Sequence, residues 1–296
     1  MTDRDGGINE GGEHRANHGG EHSRDHGAEH GGAPDPLPVL RGIRDANYHR
    51  PGIRCLRLFS ADAPTLRRLV AEVERLRAVH APSLAGTPGH VTAWAGPRGR
   101  VEQFSLLNAS GRCDDFSRDH DLSCFGKRFH DRTRYPALSA LAGALPHLVN
   151  FRVNVLGPGA ALEPHEEHSV VRSRTGTVGV RARFHLPLVT GPEATLLLDG
   201  DMHHLEAGTV YLVNHGCVHA AANTGATDRV HLVWDMLVTA AAAEVMFGTG
   251  AVPDGFSRTP ARAVRPTGRR TVTRWERIAP QVGEAEARHV GLLDPQ

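Results

Sequence analysis

Lysine is nearly missing from this chain: Lys127 is the single one among 34 basic side chains, the rest being arginine. Such a skew points to the base composition of the coding sequence rather than to a function. Excess charge is lacking as well. A formal net charge of +1 over 296 residues leaves no global electrostatic footprint for nucleic acid, and no such partner is expected. Cysteine is scarce, and Cys55, Cys113, Cys124 and Cys217 cannot make a disulfide framework at this length. Cys113, His120, Cys124 and His130 can be assembled into a zinc site on paper, but their spacing is loose and the stretch is polar, so reduced, structurally ordinary thiols are expected. No apolar run reaches membrane-spanning length, and the N-terminus shows no charged-then-apolar signal pattern. The expectation is a soluble, cytoplasmic protein with no membrane partner.

What the chain does have is organisation. Its length allows one large domain or two small ones. Residues 1–33 stand apart: His14, His18, His22, His26 and His30 recur every fourth position. The glycines among them disfavour a helix, and the near-absence of apolar residues predicts disorder. Residues 34–148 read as a mixed, partly helical region packing on a later barrel. Asp62 can cap a helix running to His80, with Pro64 in its first turn and Leu66, Leu69, Val70, Val73, Leu76 and Val79 on one face. A second helix is expected near Ala137–Leu145, a strand at Val101–Leu107, and a long polar loop at Asn108–Tyr135. From 149 to 240 the character changes to short β-rich runs between Gly, Pro, Asn and Asp turns. They are Asn150–Leu156, Gly179–Leu188, Ala194–Leu198, Thr209–Val213 and Arg229–Val238, and they argue for an antiparallel barrel or sandwich. An Ala-rich helix follows Thr239. The remainder of 241–296, rich in Pro and Arg, shows no clear periodic element and reads as a solvated extension carrying Arg265, Arg269, Arg270 and Arg274.

Strand alternation sorts the side chains of the β-rich stretch. Arg181, Arg183 and His185 share one face, as do Arg152 and Asn154, while Val180, Ala182, Phe184 and Leu186 take the other. This cationic face is either the wall of a carboxylate-binding cavity or the solvated side of a sheet. The residues flanking it favour the cavity. His165 and Glu167 follow the Leu156-Gly157-Pro158-Gly159 turn two residues apart, and His219 arrives much later. Two imidazoles and a carboxylate can hold one face of a ferrous ion and leave three positions open. Arg229, ten residues beyond His219, can grip a carboxylate in the same cavity. The HEEH run is not the helical HExxH frame of zinc proteases.

The segments NVLGPGAALEPHEEH, VRARFHLPL and HAAANTGATDRVHLVWD resemble the aspartyl/asparaginyl β-hydroxylase family, including its proline-hydroxylase-like bacterial branch, among the Fe(II)/2-oxoglutarate dioxygenases. The likeness covers about Asn150–Asp235, and the His219-to-Arg229 spacing is its most specific match. It implies a mainly β fold: a double-stranded β-helix, the jelly roll of cupin-like proteins, with flanking α-helices. It also implies that His165 and His219 bind iron and that Arg229 binds the distal carboxylate of 2-oxoglutarate. His185 and Asn154 correspond to further cosubstrate contacts, and Arg152, Arg181 and Arg183 to residues gripping an amino-acid carboxylate. One departure stands out. Proline-hydroxylase-like members carry His-x-Asp, and the aspartyl/asparaginyl enzymes use two histidines with water, whereas this chain has Glu167. Glutamate is expected as the third ligand; otherwise it lies behind the ligands and water completes the site, with His168 a weaker alternative. The implied activity is O2-dependent hydroxylation of an amino acid, whether free, carrier-bound or peptidyl, in small-molecule or natural-product metabolism. A non-catalytic cupin-like binder, or an oxygenase of this class that cyclises or desaturates, is the alternative.

Overall fold

A computed structural model describes residues 35–81, 95–96, 99–116, 121–273, 275 and 278–296. The histidine-rich segment 1–33, His120 and Arg274, all singled out from the sequence, lie outside the described residues. The N-terminal elements are helix α1 (Leu37–Asn47), strand β1 (Cys55–Ala61), helix α2 (Ala63–Val79), strands β2 (Ala95–Gly96), β3 (Gly99–Asn108) and β4 (Arg128–Phe129), and helix α3 (Pro136–Gly143). The β-rich stretch supplies β5 (Leu148–Leu156), β6 (Ala161–His165), β7 (Val170–Arg172), β8 (Val178–Val189), β9 (Ala194–Leu198), β10 (Asp201–His203), β11 (Thr209–Val213), β12 (His219–Asn223) and β13 (Arg229–Leu237). Helix α4 (Ala240–Phe247), strands β14 (Phe256–Ala263) and β15 (Gly268–Arg269) and helix α5 (Glu284–Ala287) complete the order. No helix among the described residues is long and apolar enough to cross a membrane.

The strands form two antiparallel sheets. Among the described residues the larger runs β14-β1-β11-β8-β13-β5-β3-β2, with β4 and β7 paired at its margins; the smaller runs β15-β10-β9-β12-β6. Period-two alternation gives the larger sheet an apolar outer face. Phe151, Val153, Phe184, Leu186, Leu232 and Trp234 on that face join Leu40 and Ile43 of α1, Leu69, Val73 and Leu76 of α2, and Leu138 of α3 in one core. Trp234 stacks between Phe151 and Phe184, with ring centroids 5.8 and 5.9 Å away. The inner face meets the smaller sheet through a second cluster that includes Val101, Leu156, Tyr211 and Val213 against Leu196, Leu198 and Ala221. This is the mainly β, jelly-roll architecture with flanking helices.

The cap at α2 is as the sequence predicts: the Asp62 carboxylate accepts a hydrogen bond from the Thr65 amide at 2.7 Å. One expectation is corrected. The segment beyond Gly250 is not without regular structure, because β14 pairs with β1 along the edge of the larger sheet. An edge tolerates its Pro260 and the exposed Arg262, which obscured the strand in the sequence. The cationic face lies in the interior, as the cavity reading expects, and not on a solvated side of the sheet: Arg152, Arg181, Arg183 and His185 are all buried.

Candidate functional site

Register brings the two histidines together. β6 and β12 pair antiparallel with His165 directly opposite His219, and their ring centroids are 4.1 Å apart. Each ring is anchored from behind by a backbone carbonyl two residues upstream. His165 Nδ1 lies 2.8 Å from the Glu163 carbonyl and His219 Nδ1 lies 3.0 Å from that of Cys217. An Nδ1–H donated to a carbonyl leaves the Nε2 lone pair free and aims it, the usual support behind a metal-bound histidine. Glu167 completes the group, with Oε1 3.8 Å from His165 Nε2 and 3.9 Å from His219 Nε2. One ligand atom from each of the three residues falls within 4.8 Å of the others. Burial, reinforced by the neighbouring His165, pushes the His219 imidazole down to about 3, so it stays neutral, as ligation requires. The donor set of two imidazoles and a carboxylate fits Fe(II).

Behind the triad lies a buried charge network. Arg183 grips Glu167 with both terminal nitrogens, at 2.7 and 2.8 Å. The same guanidinium donates to both oxygens of Asp235, at 2.8 and 2.9 Å. Arg181 stands 3.4 Å from Glu167 and 3.5 Å from Asp235, and Arg152 stands 3.5 Å from Asp235. Burial alone would raise the Glu167 carboxyl, but the Arg183 charge and its neighbours hold it well below the usual range. Asp235 is held down in the same way, against its burial, by Arg183 and Arg181. Both acids are therefore ionised. A carboxylate offers about four lone-pair sites, so the Arg183 clamp orients Glu167 without exhausting it.

Arg229 opens β13 on the same inner face and differs from the other three arginines. Its residue is 4 % exposed, and its guanidinium has no hydrogen bond or ion pair with any described residue. Burial pulls it down to about 10, a cost that only an anionic partner would offset. Three polar side chains stand in register across the neighbouring strands: Gln103 opposite Asn154, and Asn154 opposite His231. Gln103 Oε1, Asn154 Oδ1 and His231 Nε2 are all buried with no hydrogen-bond partner among the described residues. Buried polar atoms are rarely left this way unless a ligand or water meets them, and a half-turn of either amide would present its NH2 instead. His185 joins the row, with Nδ1 3.3 Å from His231 Nδ1. Burial and the charges of Arg229 and Arg183 keep it neutral, well below the ordinary histidine value. A guanidinium and a row of unsatisfied amide and imidazole groups fit the carboxylate end of 2-oxoglutarate.

Apart from His168, the residues singled out from the sequence for the site lie on the inner face or at the triad. His168 does not join the triad; its carbonyl accepts from Arg181 at 2.9 Å. Asn223, the last residue of the His-x3-Asn frame, is a staple: its amide donates to the carbonyls of Leu156 and Thr227, both at 2.8 Å. Gln103, His231 and Asp235 escaped the sequence reading. The alternation that selected Arg181, Arg183 and His185 would have selected Arg229, His231 and Asp235 on β13, had the strand's apolar positions been used to fix its face.

Residues 122–238 match the family model described as aspartyl/asparaginyl beta-hydroxylase. Among curated proteins nothing matches the chain. Solved structures similar to it include the non-heme alpha-ketoglutarate-dependent epimerase SnoN from nogalamycin biosynthesis, at 18% identity and TM-score 0.41, covering 80% of this chain and 96% of that one. HygX from Streptomyces hygroscopicus, solved with nickel and 2-oxoglutarate bound, is similar at 14% identity and TM-score 0.33, covering 61% and 81%. A 2OG-Fe(II) oxygenase family member from Burkholderia pseudomallei is similar at 10% identity and TM-score 0.37, covering 56% and 77%.

Proposed function

We propose that the chain, whose residues 122–238 match the aspartyl/asparaginyl beta-hydroxylase family model, is an Fe(II)/2-oxoglutarate-dependent dioxygenase that hydroxylates an amino acid. The substrate would be free, carrier-bound or peptidyl, and it would present a carboxylate to the inner face of the larger sheet. The observation that carries this reading is the unpartnered, buried guanidinium of Arg229, on the inner face that also holds the His165–Glu167–His219 triad. When bound, iron and 2-oxoglutarate supply the oxidising chemistry, by which O2, 2-oxoglutarate and a C–H bond become succinate, carbon dioxide and an alcohol.

The chain's own residues bind, orient and exclude water. His165 and His219 would hold the metal through Nε2, and Glu167 through an oxygen that Arg183 keeps ionised and aimed. Arg229, with Asn154, Gln103 and His185 around it, would fix the far carboxylate of 2-oxoglutarate. The charge balance favours an anionic substrate. Four buried guanidiniums, Arg152, Arg181, Arg183 and Arg229, face two carboxylates, the buried Asp235 and the partly buried Glu167. The excess of two positive charges is met by the dianion 2-oxoglutarate, and a ferrous ion restores it, leaving cationic potential for a further carboxylate.

Succinate release from 2-oxoglutarate under Fe(II), across an amino-acid panel, tests the class, with Arg229→Ala as control. Mass spectrometry of the amino acid tests the reaction: the expected product is heavier by one oxygen. A product lighter by two hydrogens, or unchanged in mass, with succinate formed would overturn hydroxylation. No turnover with any substrate would favour a binding protein.

A further inference from the structure

Outside the barrel, the structure brings a second set of metal-ligating side chains together from three separate elements. His80 ends helix α2, Cys113 lies in the turn after β3, and His130 follows β4. One ligand atom from each falls within 4.8 Å of the other two. The two imidazoles meet edge to face, with Nε2 atoms 3.3 Å apart. Two nitrogens bound to one tetrahedral zinc at about 2.0–2.1 Å stand roughly 3.3 Å from each other. Behind the pair, His130 Nδ1 lies 2.9 Å from the Gly111 carbonyl, the arrangement that fixes Nε2 as the free lone pair. Cys113 is buried and held in place, its carbonyl accepting from the Ser105 amide at 2.8 Å.

A hydrogen bond between the two rings would explain their spacing alone. It leaves two observations without a task. The first is the buried thiol converging on the same point. The second is Tyr135, which is fully buried, stacks on His130 with centroids 5.9 Å apart, and keeps a hydroxyl with no hydrogen-bond partner among the described residues. The sequence had offered Cys113 and His130 together with His120 and Cys124. Cys124 is occupied elsewhere, its thiol 3.2 Å from the His147 carbonyl.

We propose that His80, Cys113 and His130 form a second metal site, for a zinc-type divalent cation, that clips the end of α2 and the β3–β4 loop to the margin of the larger sheet. One thiolate and two imidazoles suit Zn(II) better than the oxygen-loving cations, and the fourth position is left to water. Binding replaces the thiol S–H by an S–metal bond and releases one proton to solvent.

Cobalt(II) is the probe, because a thiolate ligand gives it a near-ultraviolet charge-transfer band that histidine and carboxylate ligands do not. Neither the barrel triad nor the N-terminal histidines contain a thiol, so the full-length chain can be used. The band is expected in the wild type, in His219→Ala and in Cys124→Ala. It is expected to be lost in Cys113→Ala and His130→Ala, and displaced by added zinc(II). A folded wild type without the band, or a band that survives Cys113→Ala, overturns the site. Should those variants fail to fold, the wild type in mild urea answers the same question through alkylation of Cys113, mapped by peptide mass. Zinc at ten times its Kd should slow that labelling about tenfold, and an unchanged rate overturns the proposal.

Discussion

Arg229 and Asp235 are both buried on one face of one strand, yet their removal should have opposite signatures. Arg229 has no acidic partner among the described residues, so Arg229→Ala removes a cation whose burial costs stability. The melting temperature should stay level or rise, while the Kd for 2-oxoglutarate should weaken by about 30-fold to a few thousand-fold, the range for breaking a buried charged pair. Calorimetric titration of the metal-loaded protein checks it, and an unchanged Kd would remove Arg229 from the cosubstrate site. Asp235 is shared by Arg152, Arg181 and Arg183. Asp235→Ala would strand buried guanidiniums and should cost about 3–5 kcal/mol of folding free energy, read from urea denaturation; a loss below about 1 kcal/mol would contradict the network. The sequence made the first residue legible and not the second. Arg229 is announced by its spacing from His219. Asp235 stands beside Trp234 in an apolar run, and only the register that sets it against Arg183 reveals its partners.

At the scale of elements, period-two and period-3.6 patterns located β3, β5, β8, β9, β11 and β13 and helices α2, α3 and α4, because burial on one face imposes them, but left α1, β1, β6 and β12 unread. They missed what two elements do for each other. Glu72 looks like a solvent-facing residue of α2, but it is 4 % exposed. Its two oxygens accept from the Ala137 and Leu138 amides, both at 2.9 Å, at the start of α3. That helix has no side-chain cap of its own, so a carboxylate from a neighbouring helix satisfies its orphan donors and meets its positive dipole end. Glu72→Ala should therefore cost about 2–3 kcal/mol by urea denaturation, while succinate formation per folded molecule stays near wild type. Glu72→Gln, which keeps one acceptor oxygen, should recover part of the loss. Equal losses in the two variants would assign the whole effect to charge.

For the molecule as a whole, composition placed the barrel at 149–240, yet β1, β3 and β14 from outside that range lie in the larger sheet. Of the three, β3 is already expected from the sequence as Val101–Leu107, and β1 lies inside the sheet between β14 and β11; β14 is the edge strand, whose few buried positions leave a weak local pattern that only long-range pairing recruits. The jelly roll also gathers a group of histidines that share one consequence. Burial holds His185, His215 and His231 well below the ordinary value, and His219 at about 3. An unfolded chain takes up protons on these rings near pH 6.5, while the folded chain refuses them. The unfolded state then binds more protons, so stability falls as pH drops below about 6.5 and keeps falling toward the folded values. Each ring contributes at most about 1.4 kcal/mol per pH unit in that window. The depressed carboxyls of Glu167 and Asp235 act in the same direction only below the ordinary carboxylate range, near pH 4. Urea midpoints of the metal-free protein at pH 7.5, 6.5 and 5.5 should therefore drop mainly over the lower step, well before any carboxylate titrates. His231→Leu removes one proton-refusing ring and should flatten the slope by up to about 1.4 kcal/mol per unit. A midpoint that stays level from pH 6.5 to 5.5 would mean that the interior accepts imidazolium, and the neutral ligand field assigned to the barrel would fall with it.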